Sequence, residues 1–536
     1  MTRMKLTPAG RGVLFIIIAA LVIGVAFAAY KLFAPAELIE NFQSDVLQNF
    51  EKSEPVKQTP EKTTEKIPGT AKPAEDNVNT NGEINLSLDE WIGWKPLVDA
   101  NGGLTTQPGS IFDNLGIKVN IHIINDADSS SNALIKGDLN AAGYTLNRTA
   151  FLSGKFKDAG LDIVMPVFTN YSDGGDGIIA LSNIQSVEDL IGAKIGVPKF
   201  SEAQSLVVWF INKSDLTDSQ KREIIDNLVL LDDAEQTGQA FFAGSLDVAA
   251  TWQPYLSNAE NSTNSHILFD TTSSNKLILD GIVFRADFAQ NHADVVSKFI
   301  DGIFKAEELY TTEFDTIRKV MPMFADSSDE EIKAMCGDAG LMGYAENVAA
   351  LEDDCPVVFA DMCSVWESIG ETVDRSLGAT LFDTSYVNAL SSNYSSLIEP
   401  EKIEITEEQK EAALDVPSML TKSCTIEFYP DTAKFMDNAV ATAVLDEFVE
   451  IARVLDGTII QIEGNANYAG SIYSNDALTT NRAKTVKNYF VACGIDPNRI
   501  VVIGNGNSKM LADPNGTTEE TMVNRRTDIF FKTVGA

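Results

Sequence analysis

Eighteen consecutive residues near the start of the chain, Val13 to Tyr30 (VLFIIIAALVIGVAFAAY), carry no charge. A helix needs roughly 17–25 apolar residues to cross the hydrocarbon core of a bilayer. Arg3, Lys5 and Arg11 precede the run, and positive charge on that side keeps the N-terminus in the cytoplasm. Everything after Lys31 is therefore expected outside the inner membrane, and any folded body must form there. A cleaved signal peptide is the competing reading, because Ala26-Phe27-Ala28 fits a small-x-small cleavage site. The length of the run and Lys31 at its end, placed as a membrane-interface residue, favour an uncleaved transmembrane anchor over residues 1–33. No cysteine follows it closely, so a lipoprotein is not expected.

Between residues 34 and 84 the composition shifts to Glu, Lys, Thr and Pro (EKSEPVKQTPEKTTEKIPGTAKPAEDNVNTNG). Such a segment cannot bury enough apolar surface to fold and is expected to be a flexible linker. Ala36–Phe50 (AELIENFQSDVLQNF) has the pattern of a short amphipathic helix. The remainder is too long for one core. Its net charge of -36 argues against a nucleic-acid partner, which would need clustered Lys and Arg. The cysteines Cys336, Cys355, Cys363, Cys424 and Cys493 show no Cys-x-x-Cys spacing. In an oxidising compartment, Cys336 with Cys355 and Cys424 with Cys493 are the candidate disulfide pairs.

From Ile84 short strands alternate with helices, the pattern of an α/β fold. IKVNIHII (117–124), LNAAGYTL and DIVMPVF (162–168) read as strands, Asn132–Leu139 as a short helix, and SEAQSLVVWFINKS from Ser201 as a longer one. Four segments carry a resemblance: WIGWKPL from Trp91, GDLNAAG (137–143), SVEDLIGAKIGVP (186–198) and GSLDVAATWQPY (244–255). Together they resemble the type II periplasmic solute-binding proteins, in the nitrate/taurine branch of ABC-transporter substrate-binding components. The resemblance implies two α/β lobes over 85–398, with lobe two near 185–280, and a ligand in the cleft between them. A transporter permease would then be a partner. Candidate cleft residues are Trp91 and Trp94, which offer an apolar wall or a cation–π face; packing inside lobe one is the alternative. Tyr144 and Thr145 follow a strand, where loops carry ligand groups. Ser201 either caps its helix or meets an anion at the helix N-terminus. Asp173, with Asp176 and Asp126, would select a cationic or amine ligand, or is part of a solvated turn. Trp252 and Gln253 end a lobe-two strand.

Residues 399–420 are charged and link this body to 421–536. There, EGNANYAGSIYSNDALTTNRAKTVKNYF is followed by Gly494-Ile495, Arg499-Ile500, Gly504, Gly506 and Asn524-Arg525-Arg526. The order and spacing resemble the α+β peptidoglycan-binding domain of the OmpA family. CTIEFY (424–429) is expected to begin its first strand. In that family an Asp in the Gly-x-x-x turn meets the ammonium of a stem-peptide diaminopimelate, and a helix Arg meets its carboxylate. The matching positions here are Asn467 and Arg482. Asn supplies no charge, so loss of charge assistance is expected to weaken that contact by about 1 kcal/mol or more. Asn475, Leu478 and Arg526 match positions lining or supporting the pocket, with a structural ion pair as the alternative for Arg526.

His122, His266 and His292 lie far apart, without metal-ligand spacing. No Gly-x-Ser-x-Gly elbow is present. Neither an enzyme, a metal nor a cofactor is expected. The rival reading is a structural tether between membrane and wall. An anchor, linker and OmpA-like tail also resemble flagellar stator proteins, whose membrane segment carries an Asp that Val13–Tyr30 lacks.

Overall fold

The structure, a computed structural model, describes residues 82–274, 276–394, 405–429, 431–467, 472–517 and 520–533. The segment Val13–Tyr30 and the tract up to residue 81 lie outside the described residues. Among the described residues no helix is long and apolar enough to cross a membrane.

The chain begins with β1 (Ile84–Leu88), β2 (Val119–Ile123), β3 (Ala141–Thr145), α1 (Leu146–Ala159) and β4 (Ile163–Ser172). It continues through β5 (Asp176–Leu181), β6 (Ile195–Pro198), α2 (Glu202–Lys213), β7 (Val229–Leu231), β8 (Val248–Trp252) and β9 (Ser265–Asp270). It then returns through β10 (Leu279–Arg285), α3 (Ala293–Glu308), β11 (Ala339–Leu341) and α4 (Cys355–Ser368). The last third holds β12 (Leu420–Cys424), α5 (Asn438–Val454), β13 (Thr458–Gly464), α6 (Ile472–Ala492), β14 (Ile500–Gly504) and β15 (Thr527–Thr533).

Three sheets follow. Lobe one is ordered β11-β4-β10-β3-β1-β2, lobe two β7-β6-β8-β5-β9, and the C-terminal body β12-β15-β13-β14. The first two sheets exchange strands by one rule. β10, arriving from lobe two, is antiparallel between β3 and β4; β5, arriving from lobe one, is antiparallel between β8 and β9. The chain therefore crosses between lobes twice, at 172–176 and at 270–279. This is the two-lobed arrangement that the solute-binding resemblance implies, followed by a smaller α+β body.

The sequence explains the local choices. β3 and β4 are covered on both faces, so they read as near-continuous buried runs rather than alternating ones. α1 starts where the Thr145 hydroxyl accepts the Arg148 N–H and stops at Gly160, φ 69°. Glycine has no Cβ to oppose that left-handed turn. The helix expected at 132–139 instead spans Ala127–Lys136, because the Asp126 carboxylate accepts the Ser129 N–H at 2.7 Å and sets its start earlier. The C-terminal body also starts earlier than expected: its first strand ends at Cys424. The pattern hid it because Lys422 lies on a buried stretch, with its ammonium over the Phe448 ring and paired with Glu447. Both disulfide expectations fail, since all five cysteines are free thiols. Cys355 is fully buried at the start of α4, while Cys336 lies beside Tyr310. The Cys424 thiol contacts the Thr527 carbonyl at 3.7 Å.

The C-terminal body packs on the second crossover. Gly457 N–H donates to the Ser273 carbonyl at 3.2 Å, and the Ser274 hydroxyl donates to the Val454 carbonyl. Lys276 lies 2.9 Å from Asp354 and 3.9 Å from Asp456, joining lobe one, the crossover and the C-terminal body. Lobe two adds Asp215, which accepts the Ser423 N–H at 2.7 Å.

Candidate functional site

Two sites emerge, one between the lobes and one on the C-terminal body. The first gathers carboxylates from four separate elements. Asp89 follows β1, Asp280 lies in β10, Asp176 opens β5 and Glu202 opens α2. The field of each acts on Asp280, whose carboxyl is pushed well above the usual range by burial, then by Asp89, Glu202 and Asp176. Asp176 is raised to about 6 by burial and by Glu202 and Asp338, against a 2.8 Å hydrogen bond from Ser172. Asp89 is solvent-accessible, yet the protein around it raises its carboxyl. That combination marks the wall of a cleft, where water reaches a group that protein otherwise encloses.

Two cations of the described residues cross between the lobes, Lys213 to Asp361 at 2.8 Å on α4 and one at this site. Arg148, on α1 of lobe one, meets Glu202 of lobe two through Nε to Oε1 at 3.1 Å and Nη2 to Oε2 at 2.8 Å. The Thr145 hydroxyl donates to the same carboxylate at 2.9 Å. Burial would raise Glu202, but the Arg148 charge and these bonds hold its carboxyl below the ordinary value. A two-point guanidinium–carboxylate pair also fixes orientation, which a lysine would not do. Phe200, with φ 54°, stacks on Phe151 of α1 with ring centroids 5.2 Å apart.

The candidates read from the sequence divide. Trp91 stands at the site: its indole N–H donates to Asn170 at 2.7 Å and also meets Asp280. Thr145 reaches it through Glu202. Trp252, 44% exposed, is the register partner of Asp176. Gln253 sits beside the first crossover, its backbone N–H donating to Gly175 at 3.2 Å. Asp173, raised by burial and by Asp270, bonds through its backbone to Asp338. Trp94 and Tyr144 are core side chains. Trp94 donates its indole N–H to Asp89 at 2.7 Å, and the Tyr144 hydroxyl lies 2.8 Å from that of Ser130. The Ser201 hydroxyl is occupied by capping, accepting from Gln204 N–H and donating to the Pro198 carbonyl. Asp126 is a helix cap. Asp89, Arg148, Glu202 and Asp280 were not singled out from the sequence. Their signal was charge at a strand end or first helical turn, which any solvated loop shares.

A cavity of about 330 Å³ lies nearby, lined by Ile92, Gly93, Lys95, Tyr310, Phe314 and Cys336 among others. Its buried cation, Lys95, is already engaged by Asp99 and the Thr311 carbonyl. It holds none of the carboxylates above.

The second site lies where β13, α6 and the loop after β12 converge. Arg482, half-buried on α6, donates from Nε to the Thr432 carbonyl at 3.1 Å and lies over the Phe428 ring at 4.9 Å. Burial and then the charge of Arg525 lower its pKa; Asp431 opposes them. Asn467 accepts a hydrogen bond from Asn524 Nδ2 at 3.1 Å. Arg526 is an ion-pair residue, 2.9 Å from Asp528 and donating to the Lys509 carbonyl. Asn475 and Leu478 fall within the first two turns of α6. Glu463, on β13 beside the turn, is held below its ordinary value despite burial by Lys509 and Asn505, each at 2.6 Å.

Comparison with known proteins fits this division. The family described as NMT1/THI5 like matches residues 110–313, and the OmpA family matches residues 427–525. Over 86 residues, 16% of this chain, the sequence is 40% identical to outer membrane protein A of Bordetella avium, and it spans 44% of that relative's length. Among solved structures, the chain is similar to the periplasmic aliphatic sulphonate binding protein SsuA from Escherichia coli. Identity there is 14%, with 57% of this chain and 98% of that chain covered and a TM-score of 0.44. It is also similar to the periplasmic nitrate-binding protein NrtA from Synechocystis, at 8% identity, with 60% and 91% covered and a TM-score of 0.43. The chain thus carries an NMT1/THI5-like domain followed by a C-terminal OmpA domain.

Proposed function

We propose that this chain is a cell-envelope solute-binding protein that captures a small, positively charged amine between its lobes. On this reading Val13–Tyr30 anchors it in the inner membrane, the OmpA-like tail holds it to peptidoglycan stem peptides, and the bound form serves an ABC-type permease or a sensor. It is a binding protein and not an enzyme.

The observation that carries the reading is the meeting of Asp89, Asp176, Glu202 and Asp280 from both lobes beside the Trp91 ring. Like charges raise one another's pKa, and a cation placed among them relieves that repulsion. An indole face adds about 0.5–2 kcal/mol for a cation over it. An anion would meet the same carboxylates with only Arg148 in its favour, and Arg148 is already paired. Because the ligand groups come from both lobes, occupancy favours closure by hinge motion. Asp173, Trp252 and Gln253 flank the crossover and complete the wall in this account.

The Arg148–Glu202 bridge also gives the tether reading an observation of its own, since it joins the lobes directly. One experiment separates the two. The full-length chain is melted against a panel of amines, amino acids and small anions. A ligand at a hundred times its Kd stabilises by about 2.7 kcal/mol. Shifts from amines alone support capture of a cation. Shifts from anions alone overturn the charge argument. No shift from any solute, together with retention on cell-wall sacculi, leaves the membrane-to-wall tether.

A further inference from the structure

The Asn467 amide is not free to turn. Asn524, fully buried, accepts the Leu511 and Ala512 backbone N–H groups on Oδ1 at 2.7 and 2.9 Å. Its Nδ2 must therefore be the donor, to the Ala512 carbonyl at 3.0 Å and to Asn467. Asn467 consequently turns its oxygen inward to Asn524, and the end left over is an N–H donor. A donor repels an ammonium and suits a carboxylate. Arg525 adds its charge to that of Arg482, so the Arg482 part of this body is positive.

A negative charge reaches Arg482 from the loop after β12. The loop after β12 is pinned to α6 at two points: Arg482 Nε donates to the Thr432 carbonyl, and the Thr485 hydroxyl donates to the Ala433 carbonyl at 2.9 Å. The preceding residue, Asp431, is exposed and adopts φ 55°, a left-handed conformation uncommon for a residue with a Cβ. Its charge acts on Arg482, yet among the described residues it makes no ion pair. A carboxylate whose charge reaches a guanidinium without an ion pair between them remains available to a ligand's cation.

We propose that Asp431 takes over the ammonium of the stem-peptide diaminopimelate, while Arg482, assisted by Asn467 Nδ2, takes its carboxylate. The assignment rests on the wall-binding reading above. It would make the loop after β12 the specificity element: an amidated or non-zwitterionic stem end would lose one of its two partners.

The test titrates the full-length chain and its variants with meso-diaminopimelic acid and, separately, with a diaminopimelate-containing muropeptide. Asp431→Asn should weaken both by about tenfold, the loss of one charge-assisted contact. Asp431→Asn combined with Asn467→Asp should recover most of that loss by returning a carboxylate to the turn. Arg482→Ala should lose binding altogether. Unchanged circular dichroism and melting of each variant would exclude misfolding. Binding abolished by Arg482→Ala but unaltered by Asp431→Asn would overturn the Asp431 assignment and leave wall binding intact. No binding by the unmodified chain would overturn both.

Discussion

Replacing Glu202 by Gln removes the charge from a two-point ion pair that joins the lobes beside the carboxylate cluster. Both side chains are largely shielded, 24% and 21% exposed for Arg148 and Glu202. The amide keeps one acceptor for Thr145 or Arg148 Nε but turns a donor toward Arg148 Nη2. The loss is one charge-assisted hydrogen bond plus an unsatisfied guanidinium edge, about 2–3 kcal/mol. Unfolding entropy runs near 2.1 cal/mol/K per residue, so residues 82–394 give about 0.7 kcal/mol per degree and a fall in Tm of about 3–5 °C. The pH dependence has a definite sign. Glu202 is held below its ordinary value of 4.5, so its contribution is complete above that value and disappears as pH falls through the lower, folded-state pKa. Differential scanning calorimetry at pH 7.5 and pH 3.5 should therefore show the Tm gap between wild type and variant narrow in acid. Small-angle scattering should show the variant more open. Equal melting of the two proteins at pH 7.5 would mean that the bridge is not formed in solution, and its role in holding the lobes together would have to be abandoned.

The remaining predictions concern buried acids and thiols. Asp176 is raised to about 6, so stability falls as pH rises from 3.8 to about 6 and is level above it. Asp176→Asn should stabilise the ligand-free protein by about 1–3 kcal/mol at pH 7.5, less at pH 4.5, while reducing amine binding; a variant that melts lower at pH 7.5 would contradict the burial argument. Reducing agent should leave Tm unchanged, and alkylation after unfolding without reductant should label all five cysteines, as measured by intact mass. In the folded state Cys355, Cys363 and Cys424 should react slowly, since burial raises Cys355 well above its usual range and Cys363 and Cys424 to about 12.

Strand–helix alternation and the four quoted segments were enough to read two α/β lobes, because both faces of those sheets are covered and their strands appear as apolar runs. The edges of elements were harder. Lys422 buries its stem and pairs its head, so a charged residue sits where the pattern expects an apolar one. The site was legible where a residue type is scarce, as with Trp91, Trp252 and Arg482. It was illegible where the residue is common. Asp89, Asp280 and Glu202 are separated by tens of residues and join Asp176, which the sequence did offer, only when two lobes meet. Trp94 and Tyr144 look like cleft residues in the sequence, but their polar ends are satisfied by Asp89 and Ser130 within the fold. The Asn467 orientation depends on Asn524 and two backbone N–H groups some 45 residues away, which no linear reading connects.

The contact of the C-terminal body with Ser273, Ser274 and Lys276 has a mechanical meaning. These residues lie on a crossover, about which the lobes would turn. The same body also meets lobe two through Asp215 and lobe one through the Lys276–Asp354 pair. Any turning of the lobes about that crossover must therefore break these contacts or carry them along, so the C-terminal body is a brace laid across the hinge.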